Sequence, residues 1–81
     1  METKSRPNLL ENWEIANYWD GSIVIYGEIY NDTKNRFANG SHIRTSKVHY
    51  VDFVEGIAKT KNSIYNLGTK NRVQKVQKFE V

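Results

Sequence analysis

The chain contains no cysteine. That excludes disulfides, thiolate metal sites, iron–sulfur clusters and a cysteine nucleophile. It also removes the staple on which small secreted domains depend. Long hydrophobic runs are missing as well: nothing approaches the roughly 18 apolar residues of a membrane span. The opening stretch Met1 to Pro7 has no hydrophobic region behind it, so no secretory signal is expected. The sequons Asn31-Asp32-Thr33 and Asn39-Gly40-Ser41 then carry no argument for glycosylation. A cytoplasmic protein is expected, away from membranes.

Catalytic signatures are equally scarce. Neither a Gly-rich dinucleotide fingerprint, a Walker A loop, a nucleophile elbow nor a His-Glu-x-x-His pair occurs. His42 and His49 are an odd number of positions apart, so on one unbroken strand they point to opposite faces. Only a bulge between them would restore one parity, and two surface histidines are expected. Asp20, Asp32 and Asp52 lack the spacing of a calcium loop. No serine has a visible activating base. The expectation is a protein that is not an enzyme and holds neither cofactor nor metal.

What remains is a short chain of ordinary polarity. Its 81 residues allow one small domain, and 38% hydrophobic residues allow a thin core. Charged residues make up 26%, which does not suit wholesale disorder. The net charge is +3, and its distribution is uneven. Met1 to Ala58 holds six Lys/Arg and eight Asp/Glu, whereas Lys59 to Phe79 holds six Lys/Arg and no acid. A basic C-terminal quarter therefore follows a slightly acidic body.

Along the chain, residues 1–8 are polar and unpatterned, which reads as a flexible tail ahead of a single β domain over 9–81. From Leu9 onward, β-branched and aromatic residues are dense. Trp13, Ile15 and Trp19 share one parity, the mark of a strand with one apolar face. Asp20-Gly21 follows as a two-residue hairpin signal. Ser22 to Tyr30 is apolar on both parities at its start, as expected of a central strand, with Gly27 marking a bulge or bend. Asn31 to Ser41 is a long polar loop. In His42 to Phe53 the apolar parity changes, which a bulge near Tyr50 would reconcile. Glu55-Gly56 and Lys61-Asn62 mark two further turns around short strands. In the last segment, Val73, Val76 and Phe79 suit a helix face, but the valines and the missing N-cap favour a strand.

Five or six short strands with regular turns predict an all-β antiparallel meander. Closure into an SH3-like or OB-like barrel would cover both faces and remove the sheet edges. The predicted core is Trp13, Ile15, Ile23, Ile25, Ile29, Val48, Ile57, Ile64 and Leu67. A core of this size leaves about 3–5 kcal/mol of net stability, to which a homo-oligomer would add.

The aromatic residues outnumber the places inside so small a barrel, and exposed aromatics on a rigid sheet make contact sites. Tyr26 and Tyr30 on the central strand are candidates. So is the loop group of Lys34, Arg36 and Phe37, with Arg44 nearby, because long loops on rigid scaffolds carry function. The loop itself is not expected to be needed for folding. Lys59, Lys61, Lys70, Arg72, Lys75 and Lys78 form a candidate phosphate-facing stripe. The same lysines would also serve to protect edge strands from pairing.

One stretch of the chain carries a resemblance. Tyr26-Gly27-Glu28-Ile29-Tyr30-Asn31-Asp32, then Arg36-Phe37-Ala38-Asn39-Gly40, Ile43 to Val48 and Thr60 to Gly68 are similar to short uncharacterised proteins carried by phages, prophages and plasmids. The resemblance covers roughly residues 12–68 and consists of turns and strand residues. It implies a protein of a mobile element that inhibits host defence by binding, in the manner of anti-CRISPR proteins. The leading expectation is thus a non-catalytic inhibitor of a host protein or complex. A small-barrel nucleic-acid binder using the basic C-terminal segment, and an immunity or antitoxin protein, are the alternatives.

Overall fold

Strands form where the β-branched and aromatic runs lie, and turns form at Gly, Asn and Asp. The computed structural model describes residues 6–71. Its elements are β1 (Leu9–Asn17), β2 (Ile23–Tyr30), β3 (Ser41–Arg44), β4 (Val48–Asp52), β5 (Ile57–Thr60) and β6 (Ile64–Leu67), with no helix among the described residues. No helix there is long and apolar enough to cross a membrane. The expected element over 69–81 falls mostly outside the described residues, as do residues 1–5. Of the expected tail, residues 6–8 are tied to the sheet. Asn31 donates its side-chain amide to the Arg6 carbonyl, Asn66 donates to that of Pro7, and the Asn8 amide donates to the Asn31 carbonyl.

The six strands form one mixed sheet in the order β3-β2-β1-β6-β5-β4. This departs from the expected antiparallel meander in one place: β1 and β6 pair in parallel, with Leu9 opposite Asn66 and Leu10 opposite Leu67. All other neighbours are antiparallel. Those pairings make β3 and β4 run in the same direction, although only residues 45–47 separate them. They are two halves of one bent run.

A flat six-stranded sheet would hold its edges about 24 Å apart at the usual strand spacing. Four peptide steps from Arg44 to Val48 span at most about 15 Å. The sheet must therefore curl, and β4 packs back against β2. Thr45 pins the corner: its amide donates to the Ile25 carbonyl and its hydroxyl accepts the Ile25 N–H. Among the described residues no ladder joins β3 to β4, so the expected closed barrel is not formed. The reason is geometric: the two edges lie end to end along one run rather than side by side.

Two bulges set which side chains face inward. On β1 the register slips between Glu11 and Glu14, so Asn12 and Trp13 lie across from Gly27 alone, and Asn12 takes φ 53°. The slip moves the inward face from even positions (Leu10) to odd ones (Trp13, Ile15). Gly27 is needed because β1 passes so close. A Cβ there would lie 3.2 Å from the Trp13 Cβ and 3.3 Å from the Glu11 carbonyl oxygen. On β4 a second slip between Val48 and Tyr50 turns Val48 and Val51 inward and Tyr50 outward, the bulge expected from the parity change.

The core cluster is Leu10, Trp13, Ile25, Ile29, Ile43, Ala58, Tyr65 and Leu67, with Ile15, Val48 and Val51 packed against it. Leu9 and Val24 are also buried. Ile23 and Ile57, expected inside, are half-buried. Ile64 is 52% exposed because the odd positions of β6, Tyr65 and Leu67, take its inward face.

Candidate functional site

Two hairpin tips are each held by an aspartate carboxylate and a left-handed glycine. In the β1–β2 turn, Gly21 donates to the Tyr18 carbonyl and Tyr18 donates to the Ser22 carbonyl. This is a three-residue turn, Trp19-Asp20-Gly21, with Gly21 at φ 91°, where the sequence suggested a two-residue one. A left-handed glycine after a type I turn is what such a loop demands. The Asp20 carboxylate accepts the Ser22 N–H at 2.9 Å and its hydroxyl at 2.7 Å. Those bonds hold the Asp20 pKa below the ordinary carboxylate value. Trp19, expected on the apolar face of β1, instead stands at the tip with 97% of its surface exposed.

The β4–β5 turn uses the same two residue types at other positions: Asp52 precedes a four-residue loop, residues 53–56, that Gly56 closes. Asp52 accepts the Val54 and Glu55 N–H groups, Gly56 donates to the Asp52 carbonyl, and Gly56 sits at φ 74°. The backbone bonds lower the Asp52 pKa, that of Glu55 first, while the nearby Asp52 charge raises that of Tyr50. Val54 is 94% exposed. Phe53 lies against Trp13 with ring centroids 6.1 Å apart and near-parallel planes. Trp13 in turn donates its indole N–H to the Gly68 carbonyl and carries the Lys70 ammonium 5.8 Å from its ring.

The long loop, residues 31–40, is built around a buried carboxylate. Asp32 accepts the N–H groups of Lys34, Arg36 and Phe37. It also takes two bonds from the Arg36 guanidinium, at 3.2 and 2.9 Å. The Arg36 guanidinium, first among these partners, holds the Asp32 carboxyl well below the usual carboxylate range, and the Arg36 pKa rises in turn. Asn39 caps the Asn31 N–H, and Asn8 caps the Thr33 N–H. The loop is thus part of the folded scaffold. From its sequence the loop is expected to be dispensable for folding; its ordered network makes that a question for substitution at Asp32.

The expected contact residues are only partly brought together. Arg36 and Phe37 are neighbours, the guanidinium carbon lying 5.3 Å from the ring centroid. Phe37 is 41% exposed. Tyr26 and Arg44 face each other across β2 and β3, and Tyr30 follows Tyr26 on the same outer parity. Lys34 points elsewhere, donating to the Asn62 carbonyl and the Ser63 hydroxyl. There it joins Lys59 and Lys61 in one cleft of about 540 Å³. Lys70 lies apart, on Trp13. Arg72, Lys75 and Lys78 lie outside the described residues. His42 sits exposed on β3 and His49 exposed in the β4 bulge.

The sequence shows both turns but not the roles of the carboxylates: Asp32 at the centre of the loop, and Asp20 and Asp52 capping the tips. The signals were present: Asp four residues before Arg, and Asp shortly before Gly at both turns. Compared with known proteins, the chain matches no family model, no curated protein and no solved structure.

Proposed function

We propose that the chain is a non-catalytic binding protein, the cytoplasmic product of a mobile element, that inhibits a host protein or complex by surface contact. The observation that carries this reading is Trp19, almost fully exposed on a turn that its own neighbours lock. A monomer gains nothing from a tryptophan in water, since its burial is among the largest stabilising terms available. A partner gains a great deal. Tryptophan dominates contact energies, and a turn fixed beforehand loses little entropy on binding. Val54, on the second aspartate-held tip, supports the reading.

The mobile-element setting is the part of this proposal that the resemblance of residues 12–68 implies. The sheet stays open, and its curl and corner at residues 45–47 support likening it only to partly open folds of the SH3 or OB type. Such scaffolds hold binding loops rigid, but the fold alone assigns no function.

Site-specific photocrosslinking in host cells tests the proposal. A photoreactive phenylalanine analogue in place of Trp19 should crosslink one defined host protein, and the same analogue in place of His42 on β3 should not. No adduct from position 19, or equal adducts from both positions, would overturn it.

A further inference from the structure

We propose a second site, independent of the first: the basic cleft beside the N-terminal end of β1 binds the phosphate backbone of a single-stranded nucleic acid, with the Tyr50 ring next to it as a base-stacking platform. The cleft and Trp19 lie at opposite ends of β1, since Asn8 lines the cleft and Trp19 follows Asn17.

The cleft gathers cations from three separate elements. Lys34 comes from the long loop, Lys59 from β5 and Lys61 from the β5–β6 turn. Among the described residues no acidic side chain lines it. The ion pair formed among those residues is Arg36–Asp32, so none of these three lysines has a carboxylate partner there. Lys34 is already positioned: its ammonium donates to the Asn62 carbonyl at 2.7 Å and to the Ser63 hydroxyl at 3.3 Å. An ammonium has three N–H groups, so one remains for a ligand. Compact lysine charges in a cleft that no carboxylate lines suit phosphate. The acid beside the site is Asp52, which accepts a hydrogen bond from the Tyr50 hydroxyl at 3.2 Å.

The outer face beside the cleft supplies the rest. Tyr50, Lys59 and Ile64 are direct cross-strand neighbours on β4, β5 and β6. Tyr50 is 48% exposed and Ile64 52%. The Lys59 ammonium lies 5.2 Å from the Tyr50 ring centroid. A phosphate-binding groove flanked by an exposed aromatic is the recurring plan of single-strand binders. A duplex keeps its bases stacked on one another and offers none to Tyr50.

Fluorescence anisotropy of the full chain with a labelled oligothymidylate of about 12 nucleotides, a typical footprint for such folds, tests the site. Binding should weaken steeply with salt. Lys59→Ala with Lys61→Ala should weaken it at least tenfold. The same pair should flatten the salt slope by about 1.4, because each phosphate that a lysine neutralises on a single strand contributes about 0.7. Tyr50→Ala should weaken binding roughly tenfold and Tyr50→Phe should not. A charge control, Arg72→Ala with Lys75→Ala and Lys78→Ala, should weaken binding less than the cleft pair does. Should a variant fail to fold, titration of the isotope-labelled wild-type chain decides, with amide shifts expected at 8, 33–34, 49–51 and 59–64. No binding, equal binding to duplex, a control that weakens binding as much as the cleft pair, or shifts elsewhere would each overturn the site. None of these results bears on the crosslink from position 19.

Discussion

Asp32→Asn removes one charge from a side chain that is only 1% exposed. The wild-type carboxylate accepts five hydrogen bonds, three from backbone N–H groups and two from Arg36. An asparagine keeps one acceptor oxygen and turns an NH₂ group toward donors. Hydrogen bonds to a charged group contribute roughly 1.5–3 kcal/mol each, and buried donors left without acceptors cost about 1–3 kcal/mol. These terms do not add, because Arg36 is 37% exposed and recovers water once released. The expected net loss is about 3 kcal/mol. For a domain of this size that lowers the thermal midpoint by about 12–24 °C. Arg36→Ala should cost less, about 1–2 kcal/mol, since the carboxylate keeps its three backbone donors. The double variant should lose less than the sum of the two, as expected for residues that share a bond. Thermal denaturation followed by circular dichroism reads all three. A midpoint shift below about 4 °C for Asp32→Asn would refute the idea that this carboxylate organises the loop.

Acid should probe the same group. Its folded pKa lies below the ordinary 3.8, so its contribution is complete above that value and is lost as the pH falls further. Wild-type stability, followed by urea denaturation, should therefore drop below about pH 4, and Asp32→Asn should show a shallower drop. Gly27→Ala forces a methyl against the β1 backbone and should cost about 1–3 kcal/mol; a midpoint equal to wild type would mean β1 can shift away. The two tryptophans should differ in fluorescence, Trp13 being 6% exposed and Trp19 97%. Acrylamide should quench two populations, and Trp19→Phe should abolish the accessible one. A single quenching class in the wild type would contradict the burial described.

Much of the fold is legible in the sequence because strand parity reports which side chains can face inward. The parity change between Val48 and Val51 signals a bulge, and one lies there. Gly27 signals a bulge or bend; a bulge lies there, but its one extra residue sits on the neighbouring strand, β1, which passes close to Gly27. Connectivity is not legible. Nothing local in Ile64 to Leu67 says that β6 lies parallel to β1, because that pairing joins segments more than fifty residues apart. Parity misplaces Trp19 because the strand ends at Asn17 and the alternation does not extend past it. The contact surfaces are half legible: composition points to exposed aromatics and to lysines. Their grouping depends on hydrogen bonds between residues far apart in sequence, such as Lys34 with Asn62.

The central claim is that locked tips present Trp19 and Val54 to a host protein. Its most direct test is affinity capture from host lysate with the wild-type chain and with Trp19→Ala combined with Val54→Ala, alongside the thermal midpoints of both. Both residues are exposed, so the midpoint should move by no more than about 0.5 kcal/mol allows. The host protein enriched by the wild type should be depleted at least tenfold with the variant. Equal capture of that protein by a fully folded variant would contradict the claim.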